Sequence, residues 1–391
     1  MLGLQSHRWQ TRGMVELALV LLLGLVGPLL ALPRRFAVPV ALGELLIGAC
    51  FGASGLKVLD ASSPNLQLLT QIGFALVMMI AASHIDLSRF RDSRFIGKAF
   101  LGVVLTAITG SLLSFGIANV VGLPSHWALF AVLLTSSSAA VVLPAFSGVK
   151  PNKDLSLFLT QVALADLLSI VALPLAVSPQ RIREVATGAV LVAGASVFIW
   201  ALLRWLDRTG RWKRMRQLSA ERGFGLELRV SLILLLTLIW LAQSFSVTIL
   251  ISGFGLGLAI AANGVPHRLA KQLFAVSEGL FAPVFFVLLG AGIDLSALWS
   301  TPSLVRLALM LGFGAIFVHL VSMLLGTRLS FAIASSAQLG VPAAAVNLGL
   351  AAHLIDGGEA AAIMAGAVIT LVATAFTSAM QNGPVPKNRP A

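Results

Sequence analysis

The sequence predicts an all-α integral membrane protein of about thirteen transmembrane helices. Two global features and one local one carry that prediction. Mean hydropathy is +0.96, and the 391 residues are 58% hydrophobic and only 11% charged. Soluble domains are roughly a quarter charged, so this chain is solvated largely by lipid. Locally, apolar runs recur at the length a hydrocarbon core about 30 Å thick demands, roughly 20 residues each.

Thirteen such segments are read at 14–32, 37–53, 65–84, 97–120, 125–147, 155–177, 185–205, 226–243, 246–262, 273–293, 303–326, 329–352 and 358–381. The first ends in Pro33-Arg34-Arg35 rather than a small-residue cleavage site and reads as a span, so no signal peptide is expected. The formal net charge of +12 would suggest nucleic acid in a soluble protein. Here the basic residues lie between apolar runs and set orientation instead. Of 27 lysines and arginines, 21 fall on one set of alternate loops or at the span ends beside them. By the positive-inside rule the N-terminus is outside and the C-terminus cytoplasmic, as expected for a bacterial inner membrane protein. The densest stretch, Arg204 to Arg229, includes Arg211, Lys213, Arg214 and Arg216 and reads as a cytoplasmic linker near anionic lipid. A lone Cys50 excludes an internal disulfide, and neither a cofactor nor a resident metal is expected.

Span 3 ends in FALVMMIAASHIDLS (74–88) and span 10 in FAPVFFVLLGAGIDLS (281–296). Seven spans separate the two, an odd number that puts the copies at opposite faces, as in inverted-topology repeats. The expected organisation is a first repeat at 1–182, a linker helix and basic loop at 183–225, a second repeat at 226–382 and a short tail at 383–391. Spans 5 and 12, also seven apart, carry helix-unfriendly residues near their centres: Thr135, Ser136, Ser137 and Ser138 in one, Gly340-Val341-Pro342 in the other. Irregular backbone at membrane depth is tolerated where it is buried in protein or lines a cavity. Two discontinuous crossing helices are therefore expected to mark a site.

Asp166, halfway along span 6 in LTQVALADLLSIVALPL, has no basic neighbour in sequence. An unpaired carboxylate at that depth costs roughly 2.5–3.5 kcal/mol on insertion scales. Burial favours its neutral form unless a cation or donor accompanies it, and competition between proton and cation at one carboxylate is the minimal chemistry of exchange. His319, inside span 11, is a candidate proton carrier or hydrogen-bond donor. Gln338 and Asn347 flank the span 12 interruption and are candidates for coordination. Glu44 in span 2 and Glu278 in span 10 are secondary candidates, whereas Asp86 and Asp294, at span ends, read as cap-like or interfacial. No zinc-ligand pair or Ser/His arrangement appears, so an enzyme is not expected.

These residues together resemble the second family of monovalent cation:proton antiporters, which includes sodium/proton exchangers. The likeness runs through PVALGELLIGACFG (39–52), the span 3 IDL run, SSSAAVVLPAF (136–146) and, above all, FAPVFFVLLGAGIDL (281–295). It implies a sodium/proton antiporter-like fold and a homodimer. It also implies that spans 4–6 and 11–13 form a mobile core carrying the ion past a scaffold, with Asp166 as the ion-binding aspartate. Departures stand beside it. Ala165 replaces a polar residue before that aspartate, His319 occupies the place of a lysine found in many electrogenic members, and the span 12 carboxylate is missing. One proton per cation, or an ion other than sodium, would follow.

The resulting expectation is a secondary transporter exchanging Na⁺, K⁺ or Li⁺ for protons by alternating access. Two other readings share the residues: an anion or small organic solute carrier on the same scaffold, and a non-transporting membrane sensor. Gating by nucleotide or glutathione is not expected, since no βαβ pattern follows the last span.

Overall fold

The computed structural model describes residues 2–32, 39–61, 63–85, 93–146, 149, 152–245 and 247–381. In chain order its α-helices are α1 (Leu2–Gly24), α2 (Val26–Ala31), α3 (Val40–Phe51), α4 (Pro64–Ser83), α5 (Ser93–Val120), α6 (Trp127–Thr135), α7 (Ala139–Ala145) and α8 (Lys153–Val177). There follow α9 (Ile182–Arg208), α10 (Arg211–Glu221), α11 (Leu226–Ser244), α12 (Ile249–Ala262), α13 (His267–Val276) and α14 (Ala282–Ala291). The last are α15 (Leu295–Ser300), α16 (Pro302–His319), α17 (Leu329–Ala334), α18 (Gly340–Ala351) and α19 (Gly357–Gln381). Among the described residues each apolar segment is largely helical, with interruptions at 136–138 and 335–339. Among the described residues, 10 helical stretches are long and apolar enough to cross a membrane, and α3, α12 and α18 are shorter apolar helices.

Two compact units divide the chain. One comprises Met1–Leu25, Glu44–Leu87 and Pro174–Ile293, the other Val26–Gly43, Ser88–Leu173 and Asp294–Ala391. Spans 4, 5 and 11–13 of the sequence, and span 6 as far as Leu173, thus fall in the second unit.

Small residues let the helices of the first unit approach at backbone distance, as van der Waals packing between apolar helices requires. A Cβ placed on Gly253 or Gly257 of α12 would lie 2.1 Å from the Ala75 carbonyl oxygen or 2.3 Å from that of Met79, both on α4. The pair α3 and α14 is equally close, with Gly48 against Val287 and Gly290 against Leu45. Phe74 and Phe285 stack at 4.7 Å beside them. Span 10 is interrupted by a π-helical turn, Ser277–Phe281, ahead of α14.

The basic linker is not featureless. Gly210, at φ 71, supplies the left-handed residue that ends α9 and turns the chain into the eleven-residue helix α10. Arg216 on α10 reaches Glu227 at the start of α11 (2.9 Å) and Asp207 at the end of α9 (3.6 Å).

In the second unit, Phe158 of α8 stacks on Phe331 of α17 at 4.8 Å, and Phe146 packs edge-on against both rings. The sequence Asp356-Gly-Gly-Glu359 opens α19 as a capping box: the Asp356 carboxylate accepts from the Glu359 N–H (2.8 Å), and the Glu359 carboxylate from the Asp356 N–H (3.0 Å). His126, just ahead of α6, lies 3.8 Å from Glu359. Asp294 caps α15, accepting from the Ala297 N–H at 3.1 Å, in the role its sequence position suggested. Asp86 and most of the first IDLS copy lie outside the described residues.

One boundary differs from the sequence reading. The interruption in span 12 falls at residues 335–339, and Gly340-Val341-Pro342 opens α18 instead of breaking it. Proline is accommodated in a first helical turn because the N–H it lacks would have no intrahelical partner there.

Gly253→Val should overpack the α4–α12 contact and cost about 1–3 kcal/mol, read as a lower melting temperature in detergent. Gly97→Ala, inside α5 and with nothing within 4 Å of an added Cβ, should leave the melt the same or raise it slightly, by about 0.4–1 kcal/mol at most.

Candidate functional site

Three successive serines follow Thr135, and hydroxyls that bond to nearby carbonyls compete with helix continuation. Thr135 donates to the Ala131 carbonyl (2.8 Å) and Ser136 to that of Leu133 (3.0 Å). At Ser136 the chain turns extended (φ −69, ψ 150), and helix resumes at Ala139. Such a break strands helix-end N–H and C=O groups away from water, and protein groups must satisfy them.

Asp166 meets one side of that demand. It is 4% exposed, and its Oδ2 accepts the Ala139 N–H at 2.9 Å. A carboxylate at a helix N-terminus is also favoured by the helix dipole. Gln338 meets the other side. From the second interruption its side-chain amide donates to the carbonyl of Leu133 and, at 3.5 Å, to that of Ser136, at the C-terminal end of α6. The Gln338 backbone N–H in turn donates to the Thr370 hydroxyl on α19 at 3.2 Å. The two interrupted spans are thereby joined directly, one glutamine serving both.

His319 is the last residue of α16 and is 1% exposed. Its Nδ1 bonds the Ala315 carbonyl at 2.8 Å. Its Nε2 and the Ser137 hydroxyl are both buried with no hydrogen-bond partner. Both line one narrow crevice, together with Thr106 of α5, Gln161 and Ala165 of α8, and Ser335 of the second interruption.

Asp166, Thr135–Ser138, His319 and Gln338 therefore share one compact unit. Asn347 lies in the same unit but is exposed on α18, where it bonds the Ala343 carbonyl of its own helix at 3.1 Å. Because the break precedes α18, Asn347 does not flank it. Glu44, 3% exposed on α3, and Glu278, exposed on the π-helical turn, belong to the other unit. The sequence reading passed over Thr106, Gln161 and Ser335. Gln161 had a signal, an amide in an apolar span five residues before Asp166. Opposite it stands Gly102, where a Cβ would come 2.9 Å from the Gln161 amide carbon. Among the described residues, no group of three or more His, Cys, Asp or Glu side chains is placed to hold a metal ion.

Membrane-length helices, two of them interrupted and joined beside a buried carboxylate, define a polytopic α-helical membrane protein. Within that class the chain belongs to the family described as sodium/hydrogen exchanger, transmembrane, whose model matches residues 18–381. It is 26% identical over 340 residues to the Na(+)/H(+)-K(+) antiporter GerN of Bacillus cereus, covering 85% of this chain and 82% of GerN. It is 22% identical over 384 residues to the putative Na(+)/H(+) antiporter YjbQ of Bacillus subtilis, covering 92% of this chain but only 61% of YjbQ's length. The fold is shared with the sodium proton antiporter MjNhaP1 from Methanocaldococcus jannaschii, at a TM-score of 0.66, 20% identity and coverage of 96% of this chain and 100% of that one.

Gln338→Leu should leave α6 carbonyls unsatisfied and cost about 1–3 kcal/mol of stability. Arg328→Ala removes only a surface ion pair to Asp154 (3.0 Å, side chains 57% and 45% exposed) and should cost under about 1 kcal/mol. Paired thermal melts of the two variants check the contrast.

Proposed function

We propose that this protein is a secondary antiporter in which Asp166 alternately holds a proton and a monovalent cation, Na⁺, K⁺ or Li⁺. The observation that carries this reading is the buried Asp166 carboxylate at the N-terminus of α7, beside an unwound stretch rich in oxygen. When a cation arrives the neutral carboxyl gives up its proton, and the carboxylate–cation pair keeps the site's net charge unchanged. The hydroxyls and carbonyls of Thr135 to Ser138 complete the oxygen shell, as unwound backbone does in other broken-helix carriers. Ser137, whose hydroxyl has no protein partner, is the ligand best placed to serve without giving up a bond. Gln338 acts on the same stretch as its brace. Family membership supports cation–proton exchange, and potassium is included because GerN is described with it.

Alternating access follows in this reading from movement of the unit that holds Asp166. The repeats are assigned to 1–182 and 226–382, joined through 183–225, with thirteen crossings, the N-terminus outside and the C-terminus cytoplasmic. Two features support the assignment. The interruptions fall in spans seven apart, and in each case the following span supplies an acceptor, Asp166 or Thr370, to a backbone N–H at the break. A homodimer in the inner membrane completes the proposal.

In proteoliposomes with an imposed pH gradient, adding the transported cation should drive proton movement reported by a pH-sensitive dye. Asp166→Asn should fall to the protein-free rate for Na⁺, K⁺ and Li⁺ alike while keeping its thermal melt, since the Asn oxygen can still accept the Ala139 N–H. Full activity in that variant would remove Asp166 from the exchange site, and no flux with any of the three ions in folded wild-type protein would end the exchanger reading.

A further inference from the structure

The two interrupted spans meet a second time, away from Asp166. After α18, His353 takes the left-handed conformation (φ 53), and the turn that follows returns the Leu354 N–H to the Gly349 carbonyl at 2.9 Å. The Leu354 carbonyl then bonds Nε2 of His126, the residue immediately ahead of α6, at 2.7 Å. Glu359, at the start of α19, stands 3.8 Å from the same nitrogen. One imidazole therefore joins the start of α6, the end of α18 and the start of α19, all within the second unit.

The partners fix how a proton can enter this junction. A carbonyl only accepts, so Nε2 carries a hydrogen in the neutral ring and in the charged one. In the neutral ring Nδ1 is an acceptor, and the Ser125 hydroxyl lies 3.1 Å away to supply it. A proton added at Nδ1 reverses that one contact, since a hydroxyl oxygen also accepts, and breaks no other. It sets a positive charge beside the Glu359 carboxyl and makes the bond to Leu354 charge-assisted, roughly twice as strong as its neutral form. Both states are thus fully bonded, on a side chain 9% exposed, and imidazole is the group that passes between such states near neutrality. The other charged or titratable groups described on the elements around the ring are Asp356, His353 and Arg306 of α16, all exposed, and Lys98 toward the opposite end of α5. Among the described residues the ring's ion-pair partner is Glu359.

Two short helices carry the state of this junction to the cation site. The nine residues of α6, about 14 Å long, run from His126 to the Thr135–Ser138 stretch, and the twelve of α18 run from the second interruption to the Leu354 turn. Gln338 ties them together at the interruptions, and His126 ties them at their other ends. Two rods fixed to each other at both ends form a frame, and the oxygens proposed to hold the cation sit at one of its corners. The third element at the junction reaches the frame as well, because α19 carries Thr370, which holds the Gln338 N–H.

We propose that His126 is a positioning residue for the cation site: the proton it takes up from its own face of the membrane, balanced by Glu359, tightens the frame and raises cation affinity. The proposal rests on the exchange reading of Asp166 and Thr135–Ser138. This proton binds and leaves on one side, so it is not transported and adds nothing to the exchange ratio.

Tracer exchange of the transported cation in proteoliposomes, with equal pH inside and out, tests it. The two conditions are about pH 8.5 and about pH 5.5, above and below histidine's ordinary range. His126→Gln keeps a donor for the Leu354 carbonyl but cannot take up a proton. Its KM should match wild type at the higher pH and exceed it about fivefold at the lower, the difference between a charged and a neutral hydrogen bond, with kcat unchanged at both. Proton competition at Asp166 moves KM in both proteins alike, so their ratio isolates His126. Glu359→Gln, whose amide oxygen still accepts the Asp356 N–H, should show the same pattern, and it decides the matter if His126→Gln does not fold. A variant-to-wild-type KM ratio that is the same at both pH values, whether one or larger, overturns the proposal and leaves His126 a structural hydrogen bond. Failure of the exchange reading looks different, as absence of any cation flux in folded wild-type protein, and takes this proposal with it.

Discussion

A helix interrupted inside a membrane has to find partners for the backbone groups its break exposes, and here that requirement organises the whole second unit. The interruption after Thr135 is closed on one side by a carboxylate from α8 and on the other by an amide from residues 335–339. Three segments distant in sequence must therefore be placed together before any of them is satisfied. In hydrocarbon no water relieves a missing partner, so the arrangement is far more constrained than the same bonds would be at a soluble surface. The aromatic stack of Phe158 on Phe331 holds α8 and α17 in the register those bonds need.

The same constraint explains why the site has so few charges. Helix ends carry partial charges of their own, positive at the N-terminus of α7 and negative at the C-terminus of α6. One carboxylate and one neutral amide complement these ends without placing a second full charge in lipid. Chemistry and architecture thus share atoms: the oxygen pair that would hold a cation also contains the acceptor that keeps α7 in place.

Much of this could be read from the chain alone, for a physical reason. In lipid a polar residue is conspicuous, so Asp166, the serine run, His319 and Gln338 stood out against apolar surroundings, and helices followed from run length. What escaped notice was whatever looks ordinary locally. Gly340-Val341-Pro342 has the composition of a breaker, yet its position in a first turn makes it a starter, and the true break is spelled Ser-Ser-Ala-Gln-Leu. Asn347 seemed a neighbour of that break only while the break was placed too late. Gln161 drew no notice in the sequence, and only Gly102 shows that room is left for it. Nothing in a hydrophobicity pattern reveals α10, because its order comes from Arg216 meeting carboxylates from two other helices.

Arg216 has a history as well as a position. While the chain is being inserted, no helix partners exist, and this arginine is one more positive charge biasing which loops remain behind. Once α9 and α11 are in place, Asp207 and Glu227 neutralise it, and the same residue becomes a clasp between the two halves of the sequence. The acidic partners contribute little to orientation, so the early signal is not cancelled in advance. One side chain is thus used twice in succession, first as an address and later as a fastener.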